Sequence, residues 1–220
     1  MKVQELGQGL WRWTATHPEW TPDEGGPEGW DAEVGCTFFE TPDSVILIDP
    51  LVPGDERERF YAALDRDVGR RGGTVDILLT CFWHERSSAE LLERYGGRLW
   101  ASEKTLGVER AGALRERVTD PFGEGDVLAG GALAFDGSRW DEVVFWLPEH
   151  RTLVTGDVIL GAAGGGLRLC PENWLPAGHA ELRVVLLPLL DLPVERVLVS
   201  HGEPVLEGGR QALGRVLREM

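Results

Sequence analysis

Cysteine is scarce in this chain, with three in 220 residues, at Cys36, Cys81 and Cys170. An odd number at wide spacing argues against a disulfide framework. Long hydrophobic runs are missing as well. The longest lies around residues 184–190, is interrupted by Pro188 and ends at Asp191, which is too short to span a bilayer. The opening Met1-Lys2-Val3-Gln4-Glu5-Leu6-Gly7 has no apolar stretch of the secretory kind, so a cytoplasmic protein is expected. Positive charge is in short supply: 22 Lys and Arg stand against 37 Asp and Glu, a net charge of −15. That balance disfavours nucleic acid and anionic membrane and leaves a small molecule or another protein as the expected partner. No internal repeat or low-complexity segment interrupts the chain.

Hydrophobic residues at 42% and charged residues at 27% suit a folded chain, and the length suits a single domain over residues 1–220 with a substantial core. The most informative stretch is Ile77-Leu78-Leu79-Thr80-Cys81-Phe82-Trp83-His84-Glu85-Arg86-Ser87-Ser88. It predicts a buried strand, then a polar loop, then a helix from Ala89. In α/β folds such a loop is a usual place for chemistry.

The flanking pattern predicts two short strands around Gly7-Gln8-Gly9, the second with Trp11 and Trp13 alternating with Arg12 and Thr14. Residues 18–29 form an exposed loop, with Trp20 and Trp30 closing a core edge. Residues 34–40 and 44–49 form a hairpin whose second strand, Val45-Ile46-Leu47-Ile48, is apolar enough to be covered on both faces. Residues 56–71 form a helix burying Phe60, Leu64 and Val68, stopped by Gly72-Gly73. Further strands are expected at 98–101, 132–135, 142–147, 152–154 and 197–200. Helices are expected over 103–117, over part of 179–190 and over 209–220. The glycine-rich 161–166 has no Lys and is not a phosphate loop. Two successive halves of this kind suggest a sheet-on-sheet sandwich with helices outside.

Three strand ends carry candidate chemistry: the loop 81–86, Thr155-Gly156-Asp157 and Ser200-His201-Gly202. In this order they resemble the metallo-β-lactamase fold superfamily. Ile46-Leu47-Ile48-Asp49-Pro50 looks like its early strand ending in Asp, and Ile77-Leu78-Leu79-Thr80 like the strand feeding its His-x-His-x-Asp-His motif. The resemblance implies an α+β fold, a four-layer αβ/βα sandwich with the site at one edge, and hydrolysis by a metal centre. Aligned on Thr80, however, Cys81 and Trp83 stand at the first two His positions, Glu85 at the Asp and Arg86 at the last His. Ser138 aligns with a further His ligand, and only Asp157 and His201 match outright.

Trp83 offers zinc no donor and Arg86 brings a permanent positive charge. The expectation is therefore a vestigial site (Cys81, Trp83, Glu85, Arg86, Ser138, Asp157, His201) with no metal cofactor and a binding or structural role. In it, Arg86 forms a salt bridge with Asp157 or Glu85 in place of metal, and Trp83 fills the vacated volume. His84 is a loop histidine bonded to backbone, Cys81 a buried small residue and Cys36 a core residue, while His17, His150 and His179 have no role. The alternative is a hydrolase with one zinc, using Cys81, Asp157 and His201 with His84 beside them.

Overall fold

A computed structural model describes residues 1–26 and 29–218. Its first sheet has seven strands in sequence order: β1 (Lys2–Gly7), β2 (Leu10–Thr16), β3 (Glu33–Glu40), β4 (Val45–Ile48), β5 (Val75–Leu78), β6 (Gly97–Ser102) and β7 (Asp120–Phe122). The first four are antiparallel and β4 to β7 run parallel. Helices α1 (Arg57–Arg70) and α2 (Ser88–Tyr95) make the parallel crossovers, and the short α3 (Glu103–Gly107) and α4 (Leu114–Arg117) lead into β7. A four-stranded sheet follows, built from β8 (Leu133–Asp136), β9 (Val143–Leu147), β10 (Thr152–Thr155) and β13 (Arg196–Val199) in the order β13-β10-β9-β8. Between β10 and β13 lie a two-stranded ribbon, β11 (Ile159–Gly161) with β12 (Leu167–Leu169), and helix α5 (Gly178–Leu186); α6 (Gly209–Arg218) closes the described chain.

Three hydrophobic cores separate four layers. On the outer face of the large sheet, Leu47, Ile77 and Leu99 pack with Phe60, Leu64 and Val68 of α1 and Leu91 of α2. Between the sheets, Ile46, Ile48 and Leu78 meet Phe145, Leu147, Val154 and Leu198. Beyond the small sheet, Val144, Trp146, Leu153 and Val197 pack with Leu182 and Leu186 of α5 and Leu213 and Leu217 of α6. Strand alternation produces this stack directly: in β4, Val45 and Leu47 face the helices while Ile46 and Ile48 face the other sheet. The αβ/βα sandwich is thus present, with a mixed rather than all-parallel large sheet.

Local expectations hold where apolar periodicity carried them. The hairpin β3–β4, helix α1 and its stop at Gly72 and Gly73 (φ 99 and 86) are all formed. Residues 103–117 differ: the run breaks into α3, a single turn at Glu109–Ala111 and α4. Gly107 and Gly112 interrupt it, the latter at φ 51, and glycine is costly inside a helix. Strand β7 and the β11–β12 ribbon were not anticipated. They are three residues each, too short for a period of two to register. Residues 219–220 of the last expected helix, and Pro27 and Glu28 of the expected loop, lie outside the described residues.

Candidate functional site

Parallel pairing of β4 with β5, and of β10 with β13, brings four C-terminal strand ends to one edge of the two sheets. Those ends deliver Asp49, Thr80, Asp157 and His201. Asp49 sits at φ 51 and its buried carboxylate is saturated. The Thr80 amide donates to Oδ1 at 2.8 Å, the Thr80 hydroxyl to Oδ2 at 2.6 Å, and His84 Nδ1 lies 2.8 Å from Oδ2.

His84 reaches this position because residues 82–85 turn tightly after Cys81. Its other nitrogen, Nε2, is 3.2 Å from Asp157 Oδ1. That approach is a charge contact and not a hydrogen bond, since the buried Asp157 Oδ1 has no hydrogen-bond partner among the described residues. Asp49 on one side and Asp157 on the other both favour the protonated ring. Burial and the Arg86 charge work against that form, but Cys81, Asp49 and Asp157 outweigh them and hold the His84 pKa well above its ordinary value. Asp157 answers in kind: burial pushes it up, yet His84 foremost, and then His201, hold it well below the usual carboxylate range.

The second oxygen of Asp157 has a different cation. Arg139 Nη1 donates to Asp157 Oδ2 at 2.8 Å and to Glu142 Oε2 at 3.2 Å, while Arg139 Nε donates to the Trp174 carbonyl at 3.2 Å. Glu142 Oε1 accepts the amides of Asp157 and Val158 at 2.5 and 2.7 Å. Burial, then repulsion from Asp157, pushes the Glu142 pKa up, so Asp157 ionises first of the two. Gly156 is required by this packing, since a Cβ there would stand 2.6 Å from Thr80 Oγ1 and 2.9 Å from Glu142 Oε1.

His201 Nε2 also lies 3.2 Å from Asp157 Oδ1. Burial lowers the His201 pKa in spite of that carboxylate, and its buried Nδ1 has no partner among the described residues. Above this floor opens a cavity of about 470 Å³ walled by Trp30, Trp83, Trp140 and Trp174 and reached by Arg86, Arg110 and Arg139.

Arg86 does not pair with Asp157 or Glu85. Its Nη1 donates to the carbonyls of Asp49 at 2.9 Å and Gly35 at 3.4 Å. The expected salt bridge to Asp157 is made instead by Arg139, which the β8–β9 connection carries over Asp157. Glu85 turns outward to Arg117. Trp83 does not fill the space of a lost centre: it is 41% exposed and its ring stands 5.2 Å from the Arg139 guanidinium. Ser138 sits at φ 58, its amide bonded to Asp136 Oδ1 at 2.9 Å, and is not among the residues lining the cavity. His84 bonds to side chains rather than to backbone. Cys81 and Cys36 are buried, and burial lifts the Cys81 thiol, against the pull of His84, to about 12. His17 and Trp30, given no ligand role from sequence, both line the cavity, the Trp30 ring 5.0 Å from that of His201. His150 packs on Phe39, and His179 Nε2 lies 2.7 Å from the Cys170 carbonyl.

Arg139 and Glu142 were missed. The available signal was an acid directly before the wholly apolar Val143-Val144-Phe145-Trp146-Leu147, because a carboxylate heading a buried strand needs a partner.

No protein-family model matches the chain, and no curated protein matches it. Solved structures do. A metallo-β-lactamase from Pontibacter korlensis superposes with a TM-score of 0.71 at 16% identity, covering 100% of this chain and 99% of that one. A metallo-β-lactamase family protein from Thermus thermophilus gives 0.62 at 19% identity over 96% and 79%. The metallo-β-lactamase FIM-1 from Pseudomonas aeruginosa, solved in its mono-zinc form, gives 0.66 at 14% identity over 99% and 96%. The chain has the metallo-β-lactamase fold.

At these identities the likeness concerns the fold, and the metal that the fold implies must be tested on this chain's own atoms. At the positions of the fold's ligand motif, Trp83 has no lone pair to give and Arg86 has only donors. Glu85 is engaged with Arg117. Among the described residues, one group of acids, cysteines and histidines could converge on an ion: Cys81, His84 and Asp157, with ligand atoms within 4.8 Å of one another. Of these, His84 and Asp157 are already held by Asp49 and Arg139. No helix among the described residues is long and apolar enough to cross a membrane.

Proposed function

We propose that the edge cavity of this metallo-β-lactamase-fold chain binds a small molecule without a two-metal centre, two organic cations standing where the fold would use metal. The carrying observation is Asp157, with Arg139 2.8 Å from one oxygen and His84 Nε2 3.2 Å from the other. In this reading His84 is protonated and has no lone pair for an ion, and Arg139 takes Oδ2 of the carboxylate. The buried carboxylates Asp49 and Asp157 face the cations His84 and Arg139, which offsets part of the desolvation cost of burying charge. The acidic composition supports a small molecule or a protein rather than nucleic acid or membrane, and three unpaired cysteines suit the cytoplasm.

The approach of Cys81, His84 and Asp157 favours one other reading, a single zinc held by these three with His201 adjacent. It would supply hydrolytic chemistry. That reading needs a thiolate at Cys81 and a neutral His84, with Asp157 ligating through Oδ1, which has no hydrogen-bond partner among the described residues.

Elemental analysis of chelator-free protein, before and after exposure to zinc and dialysis, separates the two. The first reading expects less than about 0.1 metal per chain in both samples, a level below any stoichiometric site. Near one zinc per chain, lost in Cys81→Ala, would overturn it.

A further inference from the structure

In the floor of the cavity, Asp157 and its two neighbouring cations are matched by contact. Arg139 has Asp157 and Glu142, and His84 has Asp49 and Asp157. Arg86 is different. It lines the cavity, and among the described residues no carboxylate lies within ion-pair distance of its guanidinium. Nη1 meets backbone carbonyls, and the buried Nε has no hydrogen-bond partner. Its backbone lies at φ 41, ψ −114, a left-handed conformation that a non-glycine residue holds only where its surroundings enforce it. A fixed cation without a carboxylate partner, in a strained loop under a cavity, is a half-made anion site. Arg110, exposed at the same cavity, also lacks an ion pair among the described residues.

The walls supply the other half. Trp83 and Trp140 are 41% and 52% exposed, their rings 6.1 Å apart edge to face. Exposed indoles at a concave site mark ligand-facing surface. They do not suit a cationic guest well. Trp83 and Trp174 already carry the Arg139 guanidinium, at 5.2 and 5.5 Å, and of the acids lining the cavity Glu24 accepts the Thr21 amide while Glu19 stands exposed at the rim. The cavity, about 470 Å³, falls in the usual small-molecule range of about 300–1,000 Å³.

We propose that this cavity takes a planar aromatic carboxylate, its ring against Trp83 and Trp140 and its carboxylate on Arg86, with Arg110 steering from the rim. The assignment rests on the metal-free reading of the site.

The test is calorimetric titration of chelator-dialysed protein with 2-naphthoate, its neutral carboxamide 2-naphthamide, and the cation 2-naphthylmethylammonium. Naphthoate should bind at least about tenfold more tightly than the amide, the scale of a charge-assisted pair. Arg86→Gln should bring naphthoate down to the amide's affinity, while Trp83→Leu should weaken both. Arg110→Gln, at an exposed position that leaves folding intact, should cost naphthoate about two- to threefold and leave the amide unchanged. Equal affinities for acid and amide, tightest binding of the ammonium, or naphthoate binding unmoved by both arginine variants would overturn the proposal. A parallel titration of zinc-equilibrated protein separates the two readings. Naphthoate binding that appears only with zinc would overturn the metal-free site itself, whereas binding in neither sample would overturn the aromatic-carboxylate assignment alone.

Discussion

Two loops compete for the role of charge compensator at Asp157, and they differ in how openly they advertise it. The loop after β5 holds Cys81, His84, Glu85 and Arg86 in six residues, yet only His84 reaches Asp157. The connection between β8 and β9 looks like an ordinary polar turn, yet it delivers both Arg139 and Glu142. A chemically rich loop is therefore a poor guide to which of its side chains face inward. The direction is set by the backbone: non-glycine residues at positive φ occur in both, Arg86 in the first and Ser138 and Trp140 in the second.

The largest test of this contrast sets the two arginines against each other. Arg139→Leu leaves Asp157 and Glu142 buried without their shared cation and should cost about 3–5 kcal/mol. At roughly 2–4 °C per kcal/mol for a chain of this size, the melting temperature should fall by about 6–20 °C. Arg86→Leu removes hydrogen bonds to carbonyls and should cost about 1 kcal/mol. Comparable losses in urea unfolding would collapse the distinction between the loops.

His84, the member of its loop in contact with Asp157, should cost about 2–3 kcal/mol as His84→Gln in mildly acidic solution. The sign of the pH dependence follows from the raised pKa. Its contribution is complete below the unfolded value near 6.5 and fades as pH rises toward the folded value. Asp157, with a lowered pKa, contributes fully above about 3.9 and loses this as pH falls toward its folded value. The gap between wild type and His84→Gln should thus be widest between about pH 4 and 6.5. A gap that grew from about pH 7 to pH 9 would mean a neutral imidazole in the site.

The smallest effect belongs to Glu85. Its pairing with Arg117 is partly exposed, so Glu85→Gln should change stability by no more than about 0.5 kcal/mol. A loss near that of Arg139→Leu would put Glu85 back in the site.

The amino-acid sequence by itself determined the layers. Hydrophobic alternation in Val45-Ile46-Leu47-Ile48 and the spacing of Phe60, Leu64 and Val68 are local signals, and each places one face against one core. The resemblance its motifs carry also pointed to Asp157 and His201 at one edge of the two sheets. Which cation meets which carboxylate was decided only by the tertiary structure. Arg139 and Asp157 are 18 residues apart and His84 and Asp49 are 35 apart. Their pairing depends on loop backbones that local sequence does not favour and the packed sheets impose. Charge in a buried site is neutralised by whatever cation the fold brings within about 3 Å, and distance along the chain carries no record of that.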